Sequence, residues 1–208
     1  MSDLIIDLLA PKTKLNLKVG LYFGSFNPIH IGHMAIANYM VEFTPIDQLW
    51  FVVSPQNPFK KKANLLDDYQ RLEMAHRAVE GDNRLRASNI EFKLAKPSYT
   101  IDTLIHLEES YPDYQFSIIM GADNLENFHK WKNYETILSN HKIIVYPRPG
   151  YLKSIFRPHK NITIAEGVPL MEISSSFIRK SIKTGKDMRH FIPQNAWEYL
   201  EEMNFYKK

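Results

Sequence analysis

Lys18-Val19-Gly20-Leu21-Tyr22-Phe23-Gly24-Ser25-Phe26-Asn27-Pro28-Ile29-His30-Ile31-Gly32-His33 decides how the rest of the chain is read. Lys18 to Phe23 is a short apolar run rich in β-formers, and its length favours a buried strand over a helix. Gly24 stops the run and allows a tight turn. Helical spacing then sets in at about Ile31 and continues to Glu42. A buried strand, a glycine turn and a helix in that order are the opening half of a β-α-β unit.

The same alternation continues downstream. Leu49–Val53 is a second apolar run, closed by the turn-rich Ser54-Pro55-Gln56-Asn57-Pro58. Tyr69–Val79 carries apolar residues at helical spacing, Arg84–Phe92 reads as a third strand and Ile101–Glu109 as a helix. Strands follow at Gln115–Met120, Lys142–Tyr146 and Asn161–Ala165, with helices at Ser175–Lys183 and from about Pro193 to Met203. Such alternation predicts α/β architecture: a Rossmann-like, doubly wound open parallel sheet with helices on both faces. Residues 1–17 read as an N-terminal extension and 18–208 as one domain. Ligands of such sheets sit beyond the carboxyl ends of the strands, so function is expected in the turns after Phe23, Val53, Met120 and Tyr146.

Bulk composition narrows the chemistry. With no cysteine among 208 residues, disulfides, thiolate nucleophiles and thiolate zinc sites are excluded, which fits a reducing compartment. Twenty-six Lys and Arg against 23 Asp and Glu leave a net charge of only +3, which calls for neither a nucleic-acid nor a membrane partner. Leu4 to Ala10 is short, is interrupted by Asp7 and lacks a basic leader, so no signal peptide or membrane span is expected and the cytoplasm is the default setting.

At the first turn, the helix beginning near Ile31 points its positive end at the peptide groups after Gly24, an arrangement that suits phosphate. His30 and His33 are three apart and share a face if both lie on that first turn. Two imidazoles aimed at one spot can donate to phosphate oxygens, and Gly32 between them leaves room for a ligand. A His-x-x-His pair by itself is commonly structural, and no third residue with metal-ligand spacing accompanies it; the ten-residue context is what points to phosphate.

Near the other end stands Ile173-Ser174-Ser175-Ser176-Phe177-Ile178-Arg179. Serines before an apolar-periodic run signal a helix N-cap. Arg179 sits one turn in from Ser175, where its planar fork can grip phosphate oxygens. Serine caps and first-turn arginines are routine on their own. Hydroxyls, free N–H groups and a guanidinium together make a second anion site.

The first string resembles the signature of the nucleotidyltransferase superfamily with a His-x-Gly-His motif. Its Gly-Ser-Phe-Asn-Pro opening is most similar to the nicotinate/nicotinamide mononucleotide adenylyltransferases. His-Ile-Gly-His also resembles class I aminoacyl-tRNA synthetases, but those are far longer and carry a Lys-Met-Ser-Lys-Ser loop that is absent here. The serine-rich string resembles the Ile-Ser-Ser-Thr-x-Ile-Arg motif of the same superfamily, with Ser176 keeping the hydroxyl. The resemblance spans roughly residues 18–200. Three further stretches resemble the bacterial nicotinate mononucleotide enzymes: Ser98 to Leu104, Gly121-Ala122-Asp123, and Trp131. Pro55 to Lys60 resembles the family's Pro-x-Asn-Pro-His-Lys loop with Phe59 in place of histidine, and Arg148 resembles its Arg-Pro-Gly turn.

The resemblance implies adenylyl transfer from ATP to nicotinate mononucleotide, giving deamido-NAD and pyrophosphate. It implies His30, His33 and Arg179 as catalytic. It implies Gly24, Ser25, Phe26, Gly32, Asp123, Arg148, Ser174 and Ser175 as ATP-binding, and Asn27, Lys60, Thr100, Asp102 and Trp131 as mononucleotide-binding. Mg²⁺ would be required, held by ATP phosphates and water with no protein ligand. Nicotinamide mononucleotide or phosphopantetheine as acceptor, a cytidylyltransferase, and a non-catalytic nucleotide sensor are the competing readings; no oligomeric state is read from the chain.

Overall fold

The computed structural model describes residues 16–55, 65–148, 150–151 and 159–207. Lys60, Phe59 and residues 1–15 of the expected extension lie outside them. The strands are β1 (Leu17–Gly24), β2 (Gln48–Val53), β3 (Leu85–Ser88), β4 (Tyr114–Gly121), β5 (Lys142–Tyr146) and β6 (Ile162–Ile164). The helices are α1 (Ile31–Phe43), α2 (Asp68–Val79), α3 (Thr100–Ser110), α4 (Ala122–Glu126), α5 (Tyr134–Asn140), α6 (Ser175–Lys183) and α7 (Gln194–Glu202).

All five strand pairings are parallel, in the order β3-β2-β1-β4-β5-β6. The chain winds outward from β1 to β3, crosses back, and winds outward again from β4 to β6. Strand order therefore reverses between β1 and β4, and their carboxyl ends flank the crevice where ligands of doubly wound sheets bind.

Each strand serves two cores because successive side chains point to opposite faces. Val19 and Leu21 of β1 join Trp50, Val52, Ile118 and Val145 under α3 and α5. Tyr22 joins Phe51, Val53, Ile119 and Tyr146 under α1, α2, α6 and α7. Near-continuous apolar strands are what a sheet covered on both faces requires. Leu21 and Ile118 are fully buried, and each such burial contributes about 1.5–3 kcal/mol.

One local expectation differs from the structure, and one stretch left without an assigned element proves helical. The third strand ends at Ser88, and Ile90–Lys93 turns as a short 3₁₀ helix that buries Glu91. Between β4 and β5 the chain forms α4, a 3₁₀ turn at Phe128–Lys130, and α5. These pieces are too short to display a helical repeat in sequence. Among the described residues, no helix is long and apolar enough to cross a membrane.

Candidate phosphate-binding and acceptor site

β1 delivers its turn to the crevice, and the turn is held from several sides. The left-handed conformation expected of a glycine falls on Phe26, with φ 44°. Gly24 is needed for a different reason: a Cβ there would lie 2.7 Å from the Phe26 ring, which folds back over it. Phe26 is buried, and its ring stands edge-on to His33 with centroids 5.1 Å apart. The Phe26 side chain is thus a floor for the histidine.

His30 is the N-cap of α1 and His33 closes its first turn. Their rings stack with centroids 3.6 Å apart and planes 22° from parallel. The His30 N–H donates to His33 Nδ1 at 3.1 Å, so the ring proton of His33 sits on Nε2. Burial, and secondarily the Arg148 guanidinium, push the His30 imidazole down to about 4. His30 is therefore neutral at neutral pH and offers hydrogen bonds rather than charge.

α6 meets this turn across nearly the whole chain length. Ser174 caps the helix by accepting the Phe177 N–H at 3.2 Å. The Ser175 hydroxyl donates to the Pro28 carbonyl at 2.8 Å, and Arg179 Nη1 donates to the Asn27 carbonyl at 2.6 Å. Arg179 Nη2 also donates to the Ser176 hydroxyl at 3.3 Å. Asn27 is buried, and its side-chain oxygen accepts from the Tyr206 hydroxyl at 2.6 Å.

A cavity of about 280 Å³ opens beside the imidazoles, lined by His30, Gly32, His33, Arg148 and Ser174 among others. Arg179 does not line it. Arg179 instead borders a neighbouring basic cavity of about 420 Å³ with Ser176, Lys180, Lys183 and Tyr206. Ser174 lines the first space and Ser176 the second, so both border the start of α6, and the arginine grips the Asn27–Pro28 turn.

Under the first cavity lies a polar network from three strand ends. Arg148 pairs with Asp123 (Nε to Oδ1, 3.2 Å) and donates to the Tyr146 hydroxyl at 3.1 Å; Tyr146 is 3.0 Å from the Tyr22 hydroxyl. Burial, then the neighbouring Tyr146, keeps the Tyr22 phenol well above its ordinary value and so protonated. Gly121 makes room for this: a Cβ would lie 3.0 Å from Tyr146 Cζ and 3.1 Å from Arg148 Nε, besides striking Asp123.

On the opposite side of β4, Thr100 opens α3, and Asp102 pairs with Lys132 at 3.0 Å. Lys132 also lies 4.8 Å above the Tyr99 ring. The residue beside Trp131 therefore ties the Trp131 stretch to the start of α3. Trp131 is half-buried, edge-on to Phe128 with centroids 5.4 Å apart.

Arg71, Glu91 and Tyr206 escaped the motif reading. Arg71 is fully buried, and donates to the carbonyls of Ser25 (2.6 Å), Ser54 (2.9 Å) and Leu66 (3.0 Å) and to the Asp68 carboxylate (2.6 Å). One guanidinium thus fixes the turns after β1 and β2 together. Glu91, also buried, accepts from the hydroxyls of Ser98 at 3.1 Å and Thr103 at 3.0 Å, joining the 3₁₀ turn at Ile90–Lys93 to the start of α3. Burial is the main reason its carboxyl titrates above its ordinary range. Arg71 did leave a trace in sequence: it lies three and four residues before Met74 and Ala75, in register with the buried face of α2.

A larger cavity, about 1000 Å³, sits at the other end of the sheet among Gln48, Leu85 and Tyr114, residues that begin β2, β3 and β4. None of the motif residues lines it. Among the described residues, no group of three or more His, Asp or Glu is placed to hold a metal.

A family model described as cytidylyltransferase-like matches residues 21–181. A protein of Christiangramia forsetii named "Probable nicotinate-nucleotide adenylyltransferase" is 53% identical over 195 residues, covering 93% of this chain and all of that one. A Flavobacterium johnsoniae protein of the same name is 53% identical over 196 residues, covering 92% of this chain and all of its own. Among solved structures, Plasmodium falciparum nicotinic acid mononucleotide adenylyltransferase complexed with NaAD matches with a TM-score of 0.73. It covers 92% of this chain and 98% of that one at 18% identity, which speaks to the shared fold.

Proposed function

This chain belongs to the nicotinate-nucleotide adenylyltransferase family, within the cytidylyltransferase-like group, and from that premise we propose that it transfers AMP from ATP to nicotinate mononucleotide, a step of NAD biosynthesis. The observation that carries the reading to this chain's own residues is the junction at Asn27–Pro28. There the imidazole-bearing turn and the serine-capped guanidinium are joined by hydrogen bonds of 2.6 and 2.8 Å.

The acceptor's phosphate oxygen is already anionic, so no side chain has to generate a nucleophile. A new bond forms between that oxygen and the α-phosphorus. The bond from the α-phosphorus to the bridging oxygen breaks, and its electron pair leaves with pyrophosphate. What the protein contributes is positioning and charge stabilisation. His33 Nε2–H and the neutral His30 ring donate to phosphate oxygens as charge builds on them. Arg179 has five N–H donors, and its two bonds to Asn27 and Ser176 leave others for the departing pyrophosphate. Arg148 and Asp123, paired beneath the cavity, orient the adenosine half.

On the acceptor side, the first turn of α3 presents backbone N–H groups at Thr100 and Ile101. Lys132, ion-paired to Asp102 at 3.0 Å, offsets the negative charge that Asp102 would otherwise set against an anion there. That combination favours a carboxylate over an amide, hence nicotinate over nicotinamide, with Trp131 as the stacking surface. Lys60 is a phosphate contact in this reading. Mg²⁺ fits a site without a carboxylate cage when it arrives on the nucleotide phosphates, where it offsets their negative charge. A cytoplasmic setting follows the absence of cysteine and the small-molecule substrates.

The test is pyrophosphate release with ATP and Mg²⁺ and each acceptor in turn. Nicotinate mononucleotide should give the highest kcat/KM and a dinucleotide product. Preference for nicotinamide mononucleotide or phosphopantetheine, or nucleotide binding without turnover, would overturn the assignment.

A further inference from the structure

Helix α7 ends in a tight reversal that carries the chain back to the phosphate turn. Asn204 adopts φ 53°, the left-handed conformation that commonly ends helices. The Phe205 N–H donates to the Leu200 carbonyl at 3.1 Å, and the Phe205 ring is buried in the core. Tyr206 follows with φ 63°, a conformation that an aromatic residue adopts only when its surroundings impose it. What this achieves is a short reach: the Tyr206 hydroxyl lies 2.6 Å from Asn27 Oδ1, across 179 residues of sequence.

Asn27 is the residue whose main-chain carbonyl Arg179 grips, and its Oδ1 also receives the Leu66 N–H at 3.4 Å. Tyr206 and Arg179 border one cavity, beside Ser176. With Oδ1 accepting, the side-chain amide has one orientation, and the residue carrying the Arg179 acceptor is held by its side chain as well as by its backbone. We propose that Tyr206 is a positioning residue for adenylyl transfer: by donating its hydroxyl to Asn27 it holds the phosphate turn in the place where Arg179 and the paired imidazoles act together. The phenol is suited to the task because burial pushes its ionisation far above the working range, so it remains a donor. This inference rests on the adenylyl-transfer reading above.

The experiment compares Tyr206→Phe with wild type, using ATP, Mg²⁺ and nicotinate mononucleotide, alongside Tyr199→Phe as control. Tyr199 lies in α7, which leads into Tyr206, sits under the Arg77 guanidinium at 4.5 Å, and has no part in the site. Tyr206→Phe should lower kcat by about fivefold or more, the scale of one buried hydrogen bond, with both KM values within about twofold. Tyr199→Phe should keep kcat. In a double-mutant cycle, the losses from Tyr206→Phe and Arg179→Lys should combine to clearly less than their product, because both act through Asn27. A folded Tyr206→Phe enzyme with kcat within twofold of wild type overturns the inference, and so does a loss that multiplies fully with that of Arg179→Lys. Absence of turnover in the wild type would overturn the adenylyl-transfer reading instead.

Discussion

The proposed donor and acceptor halves of the crevice are built by different means. On the donor side, Ser25, Asn27 and Pro28 each surrender a main-chain carbonyl to a distant side chain: Arg71, Arg179 and Ser175. On the acceptor side, Thr100 and Asp102 sit at a helix start and Trp131 just after a 3₁₀ turn, linked by the exposed Lys132–Asp102 pair. The contrast teaches where each kind of precision is needed. Phosphate transfer demands donors fixed before charge develops, and buried hydrogen bonds to main chain supply that. Recognition of a pyridine ring needs a surface and a dipole, which a helix end and an indole supply with little cross-linking. An exposed ion pair such as Lys132–Asp102 adds well under 1 kcal/mol.

The first way to break that contrast is to cut the deepest link on the donor side. Arg71→Ala leaves four carbonyls, those of Ser25, Ser54, Pro55 and Leu66, and Asp68 without their buried donor and should cost about 3–5 kcal/mol, read by urea denaturation. Asp102→Ala on the acceptor side should cost less than about 1 kcal/mol in the same assay. Comparable losses at both positions would erase the distinction.

Acid probes the same half. His30 titrates at about 4 in the folded protein against 6.5 as its ordinary value. Its folded value is the lower one, so folding favours the neutral ring. That contribution is intact above about pH 6.5 and is lost as pH falls toward 4, up to roughly 3 kcal/mol in all. His30→Gln should flatten the stability profile across that window by a comparable amount; an unchanged slope would show that the ring is not held neutral by its surroundings.

His33→Ala should lower kcat at least about a hundredfold while the melting temperature stays near that of wild type. Near-normal turnover would remove the imidazole from the mechanism. The smallest effect is expected across the crevice: Trp131→Ala should raise the KM for the mononucleotide by about tenfold, the scale of one lost aromatic stack, and leave that for ATP within twofold. Equal loss for both substrates would make Trp131 a packing residue.

The long elements were legible because their periodicity survives in the sequence. Ser175–Lys183 runs between the bounds that its serine cap and apolar spacing predict, and β1 to β5 begin and end within a few residues of their apolar runs, β3 excepted. β3 was overextended because Ile90 and Phe92 look like strand residues, whereas the chain turns there to bury Glu91 against Ser98 and Thr103. Those two hydroxyls are unremarkable in sequence until the fold brings them to one carboxylate. The motifs named the candidate phosphate-facing residues but not those that hold them. Arg71 and Tyr206 bond to residues 46 and 179 positions away, beyond the reach of any local pattern. Nothing in the motif singled out Phe26 as the residue that takes the left-handed conformation.

A single triphosphate has to engage both distant motifs, although Arg179 and the histidines border separate cavities. A crystal structure with a non-hydrolysable α,β-methylene ATP analogue tests this most directly. The account predicts phosphate oxygens within 3.2 Å of His33 Nε2 and of the Arg179 guanidinium on the same nucleotide, the hydrogen-bond range of about 2.7–3.2 Å. A triphosphate that contacts only one of the two, with Arg179 still bonded solely to Asn27 and Ser176, would contradict it.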